Sequence, residues 1–173
     1  MHIRKAQLQD AEHIHHLVNS LSSDGTLLHR PFAEVCENVR DFTVAVSEAG
    51  EFLGCGALHL YGPHLAEVRS IVVSPQAKSF GVGGHLLFAL LEEAGQHGVG
   101  CVCLFTRIPE FFAKYGFTFV ADRAALPDKI YKDCQSCPRL DRCDEVAMAR
   151  GELPDMSILG PREPVEHLVR LAT

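Results

Sequence analysis

Apolar and polar positions follow two different periods along the first 120 residues, and each change of period marks a boundary between predicted elements. Strand-like alternation or short apolar runs occupy residues 2–6, 42–47, 52–60, 67–73, 102–105 and 117–120. Apolar residues three or four positions apart predict helices over residues 10–21, 31–39, 86–98 and 109–114. The resulting order, β-α-α-β-β-β-α-β-α-β, predicts the α/β (α+β) class, with a mixed sheet covered by helices.

The rest of the chain has a weaker pattern. Prolines at positions 127, 138, 154, 161 and 164 interrupt it. We therefore predict one domain over residues 1–150, followed by a C-terminal arm or tail over residues 151–173. Such an arm is suited to packing on a second subunit, so a homodimer is one option that the sequence leaves open.

Composition and charge narrow the class of protein. A length of 173 residues with 47% hydrophobic residues suits one domain with a buried core. The formal net charge of −6 argues against a nucleic-acid partner, because such a partner requires clustered basic residues. No apolar run approaches the ~20 residues of a membrane span, and no signal peptide is visible. We therefore expect a cytoplasmic protein without a membrane partner.

A glycine-rich turn joins a predicted buried strand to a predicted helix. The strand ends at Ile71-Val72-Val73, and the turn is Lys78-Ser79-Phe80-Gly81-Val82-Gly83-Gly84. Amides at the start of a helix have no intrahelical acceptor and, with the helix dipole, attract anions. Glycine allows a phosphate to approach the backbone closely, and Lys78 adds a positive charge. A glycine-rich turn without a ligand is the alternative interpretation.

Two other phosphate-binding motifs are excluded at this turn. It lacks the Gly-Lys-Ser/Thr of a P-loop. It also follows the fourth predicted strand, whereas a dinucleotide fingerprint follows the first strand of its unit and has an acidic residue about 20 positions later. The turn therefore requires another explanation.

Residues 73–87 resemble the pyrophosphate-binding motif of the GNAT acetyltransferases, Gln/Arg-x-x-Gly-x-Gly/Ala, with Lys78 at the Gln/Arg position. The run from Phe111 to Phe117 is similar to the later helix–turn–strand of that superfamily, and the resemblance covers most of residues 2–121. It implies a mostly antiparallel sheet with a splayed strand pair and helices on both faces. It also implies acetyl-CoA as co-substrate, with pantetheine along the backbone of Ile71, Val72 and Val73. The resemblance assigns the pyrophosphate to Lys78, Ser79, Gly81, Val82, Gly83 and Gly84.

Further blocks resemble the short, stand-alone N-acetylglutamate synthases of arginine biosynthesis. In chain order these blocks begin at Leu27, Phe42, Gly54, Ala66, Leu104, Leu126 and Cys134. The resemblance implies direct transfer of an acetyl group from acetyl-CoA to the α-amine of L-glutamate. Transfer to another amino acid, a polyamine or a peptide amine stays open, as does a non-enzymatic CoA- or metal-binding sensor.

Arginines are the residues expected to hold a glutamate. This substrate has two carboxylates, and a guanidinium group binds a carboxylate through two parallel hydrogen bonds. Arg30, Arg69 and Arg107 lie in otherwise apolar segments, and Arg30 and Arg107 match positions that hold the carboxylates in the synthase family. The alternative for each is a surface or salt-bridge role. Arg69 shares a strand face with Glu67, so these two side chains could neutralise each other.

Glu67 is the candidate catalytic base. An α-ammonium must lose a proton before it attacks a thioester, and Glu67 resembles the glutamate at this position in the synthases. Many GNAT enzymes use a tyrosine as the acid for the leaving thiolate, but Phe112 stands at the matching position here. That acid is therefore not identified. Amides near Val72 and Val73 are candidates for polarising the thioester carbonyl.

Clustered cysteines form a second candidate site. Cys134, Cys137 and Cys143 have a spacing compatible with three metal ligands, although a structural zinc or iron–sulfur site normally has four. A structural metal, a disulfide or redox role, and plain thiols all stay open. The remaining cysteines lie in apolar surroundings and are expected to be core residues.

Overall fold

The computed structural model describes residues 1–20 and 28–158, whose backbone forms seven strands and five α-helices. The strands are β1 (His2–Lys5), β2 (Phe42–Val46), β3 (Phe52–Gly62), β4 (Leu65–Val73), β5 (Cys101–Thr106), β6 (Thr118–Phe119) and β7 (Val146–Gly151). The helices are α1 (Ala11–Ser20), α2 (Phe32–Glu37), α3 (Val82–Gln96), α4 (Pro109–Ala113) and α5 (Pro127–Lys132). The predicted helix end at Leu21 and residues 159–173 of the predicted arm lie outside the described residues.

The strands form one mixed sheet in the order β1-β2-β3-β4-β5-β7-β6. β4 and β5 run parallel, and all other neighbouring strands are antiparallel. The predicted mixed, mostly antiparallel sheet is thus confirmed. β7 has no counterpart in the sequence prediction. It lies between β5 and β6, and its central residues Ala147, Met148 and Ala149 are buried.

Helices cover both faces of this sheet, as predicted. Ile14 and Val18 of α1 pack in one cluster with α2 and with residues of β2 and β3. On the other face, Leu87 and Leu90 of α3 pack with Phe112 of α4 and with β5. The spacing of these apolar residues gives each helix one buried stripe. No helix among the described residues combines the length and the apolar content needed to cross a lipid bilayer.

A β-bulge distorts β4 at Ser70. Cys55 pairs with Val72 and Ala57 pairs with Arg69, so β4 has one residue more than β3 at this point. Ser70 has φ = 54°, in the left-handed region. The extra residue reverses the alternation of side chains between the two faces of the sheet. As a result β4 buries side chains against α3 before the bulge and against α1 and α2 at Val72.

The parallel strands β4 and β5 diverge after their first residues. Their pairing is limited to Ala66 with Val102 and Glu67 with Cys103. The C-terminal halves of both strands therefore border a gap in the sheet, which is the predicted splayed strand pair. Backbone groups of β4 that face this gap are available to a ligand.

Residues 152–158 follow β7 and return to the domain. The Ser157 hydroxyl and the Ile158 amide both donate to the carboxylate of Asp128, which is fully buried at the start of α5. His64 hydrogen-bonds to the same carboxylate. These contacts fix α5 relative to the turn between β3 and β4.

Candidate active site

The glycine-rich turn opens α3, as predicted. Gly81 is the N-cap residue, with φ = 71°, and Ser79 also has a positive φ of 79°. The left-handed conformation explains the need for glycine at position 81. The amides of Val82, Gly83 and Gly84 belong to the first helical turn, whose N–H groups have no intrahelical acceptor. Together with the dipole of this 15-residue helix they form a site suited to a phosphate.

Aromatic side chains from α4 and the turn after it close one side of this anion site. A Cβ atom built on Gly84 would lie 2.2 Å from the Tyr115 hydroxyl, and one built on Gly83 would lie 3.6 Å from Phe111 Cζ. Phe112 occupies the sequence position at which many GNAT enzymes have a tyrosine, and Tyr115 lies three residues later. The structure nonetheless brings the Tyr115 hydroxyl to the start of α3 and buries Phe112 in the core.

A cleft of about 130 Å³ occupies the gap between β4 and β5. Its walls include Ile71, Arg69 and Arg107. Of the other residues predicted to border pantetheine, Val72 is buried beneath α1 and α2, and Val73 packs near the start of α3. A ligand that pairs with the β4 backbone does not require these two side chains, so the predicted pairing stays compatible with the fold.

A second cavity, here named the acceptor pocket, opens on the face that carries α1 and α2. Its volume is about 220 Å³. Its lining residues are Leu28, His29, Arg30, Glu34, Arg69, Lys129, Asp133, Ser136, Cys137 and Pro138. Arg69 lines both this pocket and the cleft, so the two spaces adjoin. A molecule in the acceptor pocket would therefore lie next to a group delivered through the cleft.

Arg30 is held in the acceptor pocket at its backbone and at its side chain. Its amide donates to Asn19 Oδ1 at 2.9 Å, and Asn19 Nδ2 donates to the Arg30 carbonyl at 2.9 Å. The guanidinium Nε donates to Ser70 Oγ at 3.0 Å, and Nη1 donates to Glu34. These bonds fix the cation against the bulge of β4.

Arg107 lies in the cleft instead of the acceptor pocket. Its Nε donates to Asp144 Oδ1 at 2.8 Å, and its Nη1 is 4.0 Å from Glu145 Oε1. The hydrogen bond to Asp144 raises the pKa of Arg107. The three predicted arginines therefore do not form one cluster: Arg30 and Arg69 share the acceptor pocket, and Arg69 and Arg107 share the cleft.

Glu67, the predicted base, lies beneath the acceptor pocket with 3% of its surface exposed. Lys129 Nζ donates to Glu67 Oε1 at 2.7 Å, and the Tyr61 hydroxyl donates to Oε2 at 2.9 Å. Arg69 Nη1 lies farther away, at 3.7 Å from Oε2. The pairing with Arg69 is thus present, but Lys129 is the closer cation.

Asp133 completes the cluster. Its Oδ2 lies 2.5 Å from the Tyr61 hydroxyl, 3.3 Å from Lys129 Nζ and 3.5 Å from Arg69 Nη1. Burial opposes the charges of Lys129 and Asp133, but their mutual attraction and their other partners outweigh it. The pKa of Lys129 is accordingly raised and that of Asp133 is lowered. Burial, reinforced by Glu67 and Asp133, raises the pKa of Tyr61 far above its ordinary value.

Sequence analysis gave Tyr61, Lys129 and Asp133 no role in acetyl transfer. His59 of β3 pairs with Glu67 of β4, so their side chains lie on the same face of the sheet. Tyr61 is two residues after His59, and alternation along β3 places it on that face too. Lys129 and Asp133 are spaced four residues apart, which brings both side chains to one side of α5. The position of α5 over β4 cannot be read from any local pattern in the sequence.

The clustered cysteines, for which a metal stayed one of three options, are not grouped as metal ligands in the described part of the chain. Cys134, Cys137 and Cys143 line one cavity and are free thiols. Within residues 1–20 and 28–158, no three Cys, His, Asp or Glu side chains converge closely enough to hold a metal ion. The segment that carries these thiols includes two separate 3₁₀ turns, Cys134–Ser136 and Leu140–Arg142.

Of the four other cysteines predicted to be core residues, Cys55, Cys101 and Cys103 are buried, whereas Cys36 is half-buried at the edge of the core. Burial raises the pKa of the Cys55 thiol to about 12 and that of Cys101 to about 11. Burial likewise raises the pKa of Cys103 well above its ordinary value. All three therefore stay protonated at neutral pH, which agrees with direct acetyl transfer and not with a thiol nucleophile.

The split sheet, the anion site at α3 and the adjoining pocket define an acyltransferase that takes its acyl group from coenzyme A. Residues 10–117 match the acetyltransferase (GNAT) family, and the chain belongs to that family. The predicted enzyme class and the predicted superfamily are therefore confirmed.

Proteins and structures similar to this chain include N-acetyltransferases and amino-acid acetyltransferases. The chain is 32% identical over 148 residues to the uncharacterized N-acetyltransferase CT2212 of Chlorobaculum tepidum, covering 86% of this chain and 94% of that protein. It is 30% identical over 136 residues to the amino-acid acetyltransferase of Mycobacterium tuberculosis, covering 78% of each. Its structure matches N-acetylglutamate synthase from Neisseria gonorrhoeae, complexed with coenzyme A and N-acetyl-glutamate, with a TM-score of 0.75 and 26% identity. That match covers 88% of this chain and 35% of the synthase.

Proposed function

We propose that this protein is an N-acetylglutamate synthase, which transfers the acetyl group of acetyl-CoA to the α-amine of L-glutamate and so serves arginine biosynthesis. The observation that carries the proposal is the acceptor pocket, where Arg30, Arg69 and Lys129 line one cavity directly above Glu67. The names of the Mycobacterium relative and of the Neisseria structure support the same acceptor.

Charge favours an amino-acid dicarboxylate over a polyamine. Three cations and two carboxylates, Glu34 and Asp133, line the pocket. Glutamate adds two carboxylates that these cations can bind, whereas a polyamine adds only positive charge and would be repelled. Arg30 is suited to a carboxylate because its guanidinium is already oriented by Ser70 and Glu34.

The reaction follows from the adjoining positions of the two spaces. Glu67 takes a proton from the α-ammonium, directly or through water, and the neutral nitrogen attacks the acetyl carbon. A carbon–nitrogen bond forms, the carbon–sulfur bond breaks, and coenzyme A leaves as the thiolate. The amides at the start of α3 hold the pyrophosphate throughout, and Lys78 and Ser79 border it.

Arg30→Ala tests the proposal. A hydrogen bond to a charged group contributes about 1.5–3 kcal/mol, so the KM for L-glutamate is expected to rise roughly 10- to 100-fold. The KM for acetyl-CoA should change by less than about threefold, because Arg30 lies outside the cleft. Thiol release from acetyl-CoA gives the rates, and mass spectrometry identifies the acetylated product.

Arg40→Ala is the matched control, since Arg40 is exposed and lies outside the acceptor pocket. The wild-type protein is assayed with L-glutamate, L-glutamine, L-aspartate, spermidine and a peptide amine. A faster reaction with one of the other amines would overturn the choice of glutamate. An unchanged KM in Arg30→Ala would overturn the role of this arginine.

A further inference from the structure

The predicted base needs a way to lose its proton. Each turnover adds one proton to Glu67 if the proposed function is correct, and the following inference rests on that function. Glu67 is 3% exposed, and both of its oxygens already accept hydrogen bonds from protein groups. Direct exchange with bulk water is therefore restricted, and a chain of protein groups that reaches solvent gives the proton a second route out.

The Tyr61 hydroxyl stands between two carboxyl groups. It lies 2.9 Å from Glu67 Oε2 and 2.5 Å from Asp133 Oδ2. A hydroxyl has one proton to donate and two lone pairs that accept. It can therefore donate to one carboxylate only, and its contact with the other carboxyl group is a hydrogen bond only when that group carries a proton. The geometry therefore allows one extra proton to be held at either end of the hydroxyl.

We infer that Tyr61 and Asp133 relay the proton from Glu67 to the acceptor pocket. The proton taken from the amine binds Glu67 Oε2. Glu67 then donates it to Tyr61 Oη while the original hydroxyl proton passes to Asp133 Oδ2, so that the tyrosine is neutral before and after. Asp133, whose side chain is 28% exposed and lines the pocket, releases the proton to water. Tyr61 and Asp133 are positioning residues in this scheme, because they act through Glu67.

Charges around the cluster suit each step. The groups that face Glu67 are Tyr61 from β3, Arg69 from β4, Cys103 from β5, and Lys129, Asp133 and Cys134 from α5 and the turn after it. Lys129, with its raised pKa, stays a cation and compensates the carboxylates. Tyr61 stays a hydroxyl, and the lowered pKa of Asp133 makes it release a proton readily at neutral pH.

Tyr61→Phe and Asp133→Asn each interrupt the relay while keeping the shape of the site. An asparagine oxygen still accepts the hydrogen bond of Tyr61 but cannot carry a proton. Asp133→Asn also removes the charge that Lys129 and Arg69 face, whereas Tyr61→Phe leaves those two ion pairs intact. Each variant is expected to lower kcat about 10-fold or more, with KM values for both substrates within about threefold. Asp133→Glu restores a proton carrier and should recover most of the loss.

Tyr131→Phe and Asp141→Asn are the matched controls, since these residues lie outside the cluster and Asp141 is exposed. In a series relay one interruption suffices, so the double variant Tyr61→Phe/Asp133→Asn should match the slower single variant within about twofold. Multiplied losses in the double variant, or a kcat for Tyr61→Phe within about twofold of wild type, would overturn the relay.

All variants are compared on whichever amine the wild-type protein acetylates fastest. A best acceptor other than L-glutamate contradicts the proposed substrate, whereas the ratios between variants still decide the relay. Thermal melting of each variant shows that it is folded before kcat is measured.

Discussion

Two adjacent glycines in the turn before α3 differ in the space around them. A Cβ atom on Gly83 would have its nearest neighbours at 3.6 Å, but one on Gly84 would lie 2.2 Å from the Tyr115 hydroxyl. Gly83→Ala is therefore expected to raise the free energy of unfolding by about 0.5–1 kcal/mol, because alanine favours the helix and restricts the unfolded chain. Gly84→Ala is expected to lower it by about 1–3 kcal/mol, because Tyr115 has to move.

Urea unfolding of the ligand-free protein measures both changes. Tyr115→Phe provides the control, since it removes the hydroxyl and leaves ring atoms no closer than 3.3 Å to the added Cβ. The destabilisation by Gly84→Ala should therefore be smaller in the Tyr115→Phe background. Equal effects of Gly83→Ala and Gly84→Ala would show that the contact with Tyr115 does not limit this position.

Sequence alone predicts those residues whose role depends on their neighbours along the chain. The glycine turn is a strand–turn–helix unit, and its conformation follows from neighbouring residues. Arg30, Glu67 and Arg107 are predictions from a family resemblance, and the hydrogen bond that places Arg107 beside Asp144 has no local sequence signal. Tyr61 and Asp133 are separated by 72 positions along the chain, so no local pattern could pair them.

At the scale of elements, Asp10 joins β1 to the start of α1. Its carboxylate accepts from Arg4 Nη1 at 2.7 Å, from Arg4 Nη2 at 2.8 Å and from the Gln7 amide at 2.7 Å. The hydrogen bonds from Arg4 outweigh burial and lower the pKa of Asp10. A lowered pKa in the folded state stabilises the protein above the pKa of about 3.9 in the unfolded chain.

This stabilisation is lost as the pH falls through the pKa of Asp10 in the folded state. Asp10→Asn is expected to lower the free energy of unfolding by about 1–2 kcal/mol at neutral pH. The deficit should shrink as the pH falls below about 4, because Asp10 of the unfolded wild-type chain then binds a proton, and it should vanish once the folded state binds one as well. Urea unfolding at several pH values measures the difference in the free energy of unfolding between the variant and the wild-type protein. Glu12→Gln, at an exposed position in the first turn of α1, is the control. A deficit that does not change with pH would contradict the assignment to charge.

The order of strands and α-helices was predictable as far as β6, but two features of the sheet were not. β7 lacks alternation because its central residues are buried, and it follows a segment with two 3₁₀ turns and no helical or strand period. Its insertion between β5 and β6 depends on pairing with residues far away in sequence. The bulge at Ser70 also has no local signal, since serine rarely adopts a positive φ.

At the scale of the whole molecule, the gap between β4 and β5 is the feature around which the site is arranged. The bulge of β4 positions Arg30 through Ser70, and α5 places Lys129 over Glu67 on the same side. The start of α3 and the aromatic residues after α4 lie on the opposite face. A ligand in the gap can therefore contact elements from both faces of the sheet.

Acetyl-CoA is expected to slow hydrogen exchange in the segments that it contacts and to raise the free energy of unfolding of the whole protein. Pairing of pantetheine with β4 and binding of the pyrophosphate at α3 should slow amide hydrogen exchange in residues 68–73 and 81–84, while β1 and β2 change little. At a free concentration 100 times Kd, linkage raises the free energy of unfolding by about 2.7 kcal/mol. Hydrogen exchange followed by mass spectrometry measures the first effect, and urea unfolding measures the second. A higher free energy of unfolding without slower exchange in residues 68–73 and 81–84 would place acetyl-CoA elsewhere. A ligand bound as proposed contacts the backbone of both β4 and the start of α3.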